Sequence, residues 1–355
     1  MKRPCLVVAL PAVLLAVAGT AMAQGSFTRL SSPLTYVTGM SGDGSVVVGT
    51  RSDFGPIFRW TASGGAVNIG GTGSLAAISR DGKTIASTAA DSHNYNAAAI
   101  WQGGTNWQVL PPVPNSHPSD TSISSAYGVS GDGSVVVGLA WVTAGDAHGF
   151  RWDAVNGSVD LGALNGQSSR ANAVSADGNV IVGWDEDPSL YNYPSWRGVL
   201  WWQGLGRLLH PFGWIGQAAG TNDVGSVIVG RGAPASYRHA YRYTAWDGQI
   251  VDLGSIPRGI GPIKDQEDTS YATATSDDGT VIVGNSGWMP PLDAFIWTPS
   301  TNMMKAADFL KAKGVTVPDG WLLVTVIAVS PNGKIFAGTG VNPAGIPEGW
   351  VASLP

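Results

Sequence analysis

The stretch "SGDGSVVVG", Ser41 to Gly49, returns letter for letter at Ser130 to Gly138. A catalytic motif seldom needs a second copy, whereas a structural unit built several times does. Looser copies keep the same frame: "SRDGKTIAS" at Ser79, "SADGNVIVG" at Ser175, "NDVGSVIVG" at Asn222, "SDDGTVIVG" at Ser276 and "SPNGKIFAG" at Ser330. That makes seven. Their fourth-position glycines are spaced from 38 residues (Gly44 to Gly82) to 54 residues (Gly225 to Gly279). This is the period of a four-stranded propeller blade.

Each copy sits among the parts a blade needs. A short strand precedes it, as in "AYGV", "ANAV" and "YATAT". The Asp-Gly pair predicts a two-residue hairpin turn, with Gly taking the positive φ. The run "VVVG" or "VIVG" is a β-branched second strand. A third strand carries an aromatic: "IFRW" at Ile57, "GFRW" at Gly149, "AYRY" at Ala240 and "AFIW" at Ala294. After a Gly-rich turn comes a fourth strand, such as "SVDLG" or "IVDLG".

The seventh repeat reaches Pro355 just after its third strand, and "SFTRLSS", Ser26 to Ser32, reads as a fourth strand with no blade of its own. Pairing the two closes the ring and removes an exposed edge. In repeat six, "MMKAADFLKAKG" places Met303, Ala307 and Leu310 on one helical face, with Gly314 suited to a C-cap. The expected fold is all-β: a seven-bladed β-propeller of four-stranded blades, with one short helix near 303–313.

Taken together, the S-x-D-G-x-x-V-V-G, A-F-x-W and D-L-G patterns resemble the HAF-repeat (autotransporter-associated extracellular repeat) family of secreted bacterial proteins. The tail from "ADFLKAKGVTVPDGW" to "GWVASLP" is also similar to the ending of many members. The resemblance spans Ser26 to Pro355 and implies a secreted, propeller-like repeat protein without naming an activity. Ser-x-Asp-Gly is also similar to the Asp-box of sialidases, but the Thr-Trp that follows there is absent.

The chain opens with Lys2 and Arg3, an apolar run, and Ala21-Met22-Ala23. This is the pattern of a cleaved signal peptide over residues 1–23, leaving 24–355 as one propeller domain, secreted or periplasmic. No other run is apolar enough to span a bilayer. Cys5, the only cysteine, lies in the leader, so disulfides and a Cys nucleophile are excluded beyond it. Lys and Arg number 20 and Asp and Glu 25, and the leader holds two of the basic residues. The remainder is 18 against 25, a net of −7, the wrong sign for a nucleic-acid partner.

Loops joining second to third strands and fourth to first strands open on one face of a propeller. All five histidines fall in or beside such loops: His93, His148 and His239 in the first kind, His117 and His210 in the second. The same face collects Trp141, Trp184, Trp196, Trp214 and Trp288, with Arg197, Arg238, Asp146 and Asp185. Long loops on a rigid scaffold are where sites are usually built. Third-strand Trp60, Trp101, Trp152, Trp201 and Trp297 read as blade packing.

Two function classes follow. The first is a binder of carbohydrate or another small extracellular ligand, through Trp141, Trp184, Trp196, Trp288, His93, Arg197, Asp146 and Asp185. The second is a polysaccharide lyase or hydrolase. A lyase would use His148 and His239 as bases and Arg238 to hold a carboxylate. A glycosidase would instead need two carboxyls, for which Asp146 and Asp185 are available. No sequence motif specifies a cofactor or nucleophile. No His-x-His or His-x₃-His spacing specifies a metal. Convergence of His, Arg and Asp over the central channel would favour the enzyme, and scattered side chains the binder.

Overall fold

The computed structural model describes residues 25–51, 55–73, 75–116, 123–142, 145–165, 167–188, 196–210, 215–233, 236–257, 269–287 and 292–355. The signal-peptide segment, His117, Trp214 and Trp288 lie outside them. The strands form seven four-stranded antiparallel sheets, and the first strands of neighbouring sheets stand side by side around a central channel. Six sheets are built from consecutive strands. The seventh takes Ser26–Pro33 as its outermost strand, beside Pro347–Ser353. The chain is a seven-bladed propeller closed by its N-terminal strand.

The repeated nonapeptide explains how each blade begins. In blade three, Ser130 Oγ donates to Asp132 Oδ1 at 2.8 Å and accepts from Val135 N at 2.9 Å. Asp132 accepts in turn from Ser134 N. Ser130 N also bonds Val135 O, so the loop holds four residues rather than the expected two. Gly133 turns it at φ 77°. A motif serine is needed because its hydroxyl sits buried beneath this loop, where an unmet polar group is costly. Blade five has Asn222 instead. Its Oδ1 accepts from Val227 N, and its Nδ2 donates to Ser226 Oγ and Asp277 O, so one amide covers the work of the Ser–Asp pair.

The second-strand valines are buried on both faces. Val47 packs toward blade seven and Val46 and Val48 toward blade two, which is why the run is apolar throughout rather than alternating. The described apolar core falls into seven clusters, one at each junction between blades. The motif's last glycine has a steric reason. A Cβ on Gly138 would overlap Ser125 O and lie 2.8 Å from the Phe150 ring. Gly49, Gly183, Gly230, Gly284 and Gly338 are similarly crowded by the first-strand carbonyl. In five of these blades the first strand bulges once against the second, and in blade seven it bulges twice. Blade two has Ser87 there. Its hydroxyl donates to Leu75 O at 2.6 Å, and the first strand is only Ala77–Ile78.

The helix of blade six spans Ala306–Ala312, after a fourth strand Asn302–Lys305. Met303, expected in the helix, pairs with Trp297 in that strand. Phe309 and Leu310 extend the cluster between blades six and seven, and Gly314 follows the helix at φ 81°. Among the described residues no helix is long and apolar enough to cross a membrane.

Candidate functional site

The first strand of each blade lines the channel with every second residue. Toward the long-loop face these positions carry Tyr127, Arg170, Gln217 and Tyr271, from blades three to six in order. They fall into two contacting sets, one around Arg170 and one joining Gln217 to Tyr271. The Arg170 guanidinium lies 4.9 Å from the Tyr127 ring centre and 5.5 Å from that of Trp184. Its Nε donates to Asn172 Oδ1 at 2.7 Å. Gln217 Nε2 donates to the Tyr271 hydroxyl at 3.2 Å. Burial raises the pKa of the Tyr271 phenol, while the Arg170 and Arg231 charges pull it back. Two cations therefore stand near one phenol at the channel mouth.

Tyr127, Arg170, Gln217 and Tyr271 were not among the sequence candidates. The signal was available: Arg170, Tyr271 and Gln217 stand five residues before the motif's Ser or Asn. That position alternates onto the channel side, where packing places no demand for an apolar residue.

The candidate tryptophans take different roles. Trp184 is buried and stacks on Trp196, with ring centres 4.9 Å apart. With Arg170 on Trp184 as well, the series Tyr127, Arg170, Trp184, Trp196 is packed through. Trp141 is 37% exposed at the end of its strand. The most exposed indole of the described chain, Trp246 at 87%, lies on the opposite face, in a third-to-fourth-strand turn.

The histidines are held individually. His148 Nδ1 meets Asp160 at 3.0 Å, and His239 Nδ1 meets Asp252 at 2.9 Å. Each Asp comes from the D-L-G of its own blade. The bond to Asp160 raises His148 above its ordinary pKa against the effect of burial, and the charges of Asp146 and Asp185 add to this. Burial works to raise Asp160, but bonds from His148, Gly162 N and Asn115 outweigh it and hold the carboxyl low. Asp293–Lys305 and Glu348–Arg29 occupy the same two blade positions with the signs exchanged, each at 3.0 Å. This is a recurring cross-strand pair that staples the outer half of a blade.

The remaining candidates are placed as follows. Arg197 pairs with Asp187 at 3.1 Å. Burial raises the pKa of Asp185, which is fully buried and accepts from Leu164 N, Asn165 N and Asn165 Nδ2, tying down the loop between blades three and four. His93 is exposed, with its backbone N bonded to Asp91 Oδ1. Arg238 is exposed beside His239. Blade four lies between His148 and His239, and the structure does not bring them together. Among the described residues no three His, Asp or Glu side chains gather as a metal site would require.

No family model matches the sequence, and no curated relative matches it. Solved structures match the fold. The β-propeller domain of the Trilobed protease from Pyrococcus furiosus is 11% identical with a TM-score of 0.56, covering 90% of this chain and 95% of its own. An oligogalacturonate lyase in complex with manganese is 14% identical at 0.55, covering 93% of both chains. A chain of the mitotic checkpoint complex is 13% identical at 0.53, covering 99% and 98%. At such identities these likenesses establish a propeller and nothing narrower.

Proposed function

We propose that this chain is an exported propeller of the HAF-repeat group that binds an acidic carbohydrate at the channel mouth on the long-loop face. One observation carries the reading: Arg170 holds its guanidinium at the axis with no carboxylate partner among the described residues, in a chain whose net charge is −5. Stacking on Tyr127 and Trp184 orients a charge that no described carboxylate pairs with. Such a group suits a carboxylate from outside, which it can grip with paired N–H bonds. The Tyr127 and Tyr271 rings and the Gln217 and Asn172 amides supply the flat faces and donors that sugar hydroxyls use.

Binding is favoured over catalysis by the histidines. A lyase base must be free to take a proton at the pH of work. His148 is bonded to Asp160 and raised toward its charged form, and His239 is bonded to Asp252 two blades away. Calorimetric titration of the chain with trigalacturonate and with maltotriose tests the reading. The acidic sugar is expected to bind and the neutral one not, with Arg170→Gln weakening binding about tenfold or more. Equal binding of both sugars, or indifference to Arg170→Gln, sinks the proposal. Unsaturated uronate appearing in the same mixture would replace the binder with a lyase.

A further inference from the structure

A second feature lies on the side wall of the ring, away from the channel. Blade one ends in a six-residue outer strand, Gly65–Gly70, whereas the outer strand of blade two is only Gln108–Val109. The missing strand length leaves an open cleft of about 630 Å³ between the two blades, within the size range of small-ligand sites. Arg59, Val67, Asn68, Ile69, Trp101 and Thr105 line it. One wall is braced from beneath, where Trp107 Nε1 donates to Ile69 O at 2.7 Å.

Arg59 is the informative residue. Three blades carry an arginine at this third-strand position, directly after the buried aromatic. Arg151 of blade three is paired with Asp153. Arg242 of blade five donates from Nε to Gly279 O at 3.0 Å and from Nη1 to Thr244 Oγ1 at 2.8 Å. Arg59 has neither an acid nor a hydrogen-bond acceptor among the described residues. Its repeat mates show what the position does when it serves packing alone, and Arg59 departs from that where it lines an open cleft.

The other groups complete a site of mixed character. The Trp101 indole has its Nε1 tied to Gly104 O, so its ring is fixed in place. Asn68 Oδ1 accepts from Gly70 N, leaving its Nδ2 as a donor. Val67 is more than half exposed along the same wall. A guanidinium, an aromatic ring, an amide donor and a hydroxyl in one cleft match an acidic sugar residue: carboxylate on Arg59, ring C–H face on Trp101, and hydroxyls on Asn68 and Thr105. We infer that the cleft between blades one and two is a lateral binding site for an acidic saccharide, separate from the channel mouth.

The test is calorimetric titration of the full chain with trigalacturonate, using maltotriose as the uncharged control. Two classes of site are expected. Arg59→Gln should weaken one class about tenfold or more and spare the other. Thr105→Trp, on the exposed turn, fills the cleft without removing charge and should delete the same class. Arg170→Gln should weaken only the remaining class, so the two sites are scored apart. A single class lost with Arg170→Gln but indifferent to Arg59→Gln and Thr105→Trp overturns the inference while leaving the channel-mouth reading standing. Cleft binding of maltotriose at equal strength, or no binding of trigalacturonate to the Arg170→Gln protein, overturns it as well.

Discussion

Arg80, on the motif turn of blade two, forms an ion pair with Asp223 on the motif turn of blade five, across the channel from it. Asp277 of blade six adds its charge to the same guanidinium. The pair closes a collar in which successive turns bond to one another: Gly42 N to Arg80 O, Gly131 N to Ala176 O and Asp277 N to Pro331 O. The channel holds a space of about 210 Å³ lined by the first strands and the motif turns.

Removing the strut leaves two acids facing one another at the axis. Arg80→Ala is expected to cost about 1–3 kcal/mol, the range for a half-buried pair losing one partner. Asp223→Asn added to it should restore part of the loss. Urea denaturation of the two single variants and the double variant measures the coupling. Strictly additive losses would mean that the strut contributes no pairwise energy.

Gly138→Ala places a methyl group against Ser125 O and the Phe150 ring. The bulged first strand would have to move, and a loss of about 3 kcal/mol or more is expected. Ser87→Gly in blade two should cost less, because it removes only the bond to Leu75 O. Thermal denaturation of the two variants side by side checks the order, and the reverse order would refute this account of the motif's last glycine.

The His148–Asp160 pair makes stability depend on pH. His148 is raised in the fold above its ordinary 6.5, so its contribution is complete below that value and is lost as pH climbs through the folded pKa. Asp160 is lowered below its ordinary 3.8, so its contribution is complete above that value and is lost as pH falls further. The melting temperature should therefore hold between the two and decline on the alkaline side. In Asp160→Asn that alkaline decline should shrink. An unchanged profile would show that the pair does not couple to folding.

Glu348 is buried and carries a bidentate bond from Arg29, a bond from Ser31 N and one from Asn342 Nδ2. Arg29→Ala leaves that carboxylate without its cation at the seam where the ring closes. A loss of stability is expected, falling markedly when Glu348→Gln is combined with it. Chemical denaturation of the single and double variants decides the matter.

The blade count, the turn positions and the closing strand were legible because each follows from a rule acting within a few residues: positive φ at Gly133 and β-branching in the second strand; the turn length was not, because the bond from Ser130 N to Val135 O that sets it spans four residues. The site was less so. His148 and Asp160 were visible separately, one as a loop histidine and the other as part of a strand pattern. Their meeting depends on the register slip that sets Asp160 opposite Phe150. Trp184 and Trp196 were read as open stacking faces, but strand pairing folds them onto each other. Arg170 was passed over because channel-lining strands were treated as scaffold, although the channel side is free of packing constraint. Arg59 and its cleft depend on a neighbouring blade having a short outer strand, and no local pattern reports that.

The strand that closes the ring also sets the order of assembly. Ser26–Pro33 is the earliest strand of the described residues to be synthesised, yet its sheet partner is Pro347–Ser353, more than three hundred residues later. Six blades can assemble from neighbours in the chain, and the seventh must wait with an unpaired edge at each end of the arc. Closure of the ring requires Ser26–Pro33 to meet Pro347–Ser353. Until it occurs, the half-built ring presents two strand edges on which a second copy could pair, so the interval before closure is when this protein is most exposed to misassembly.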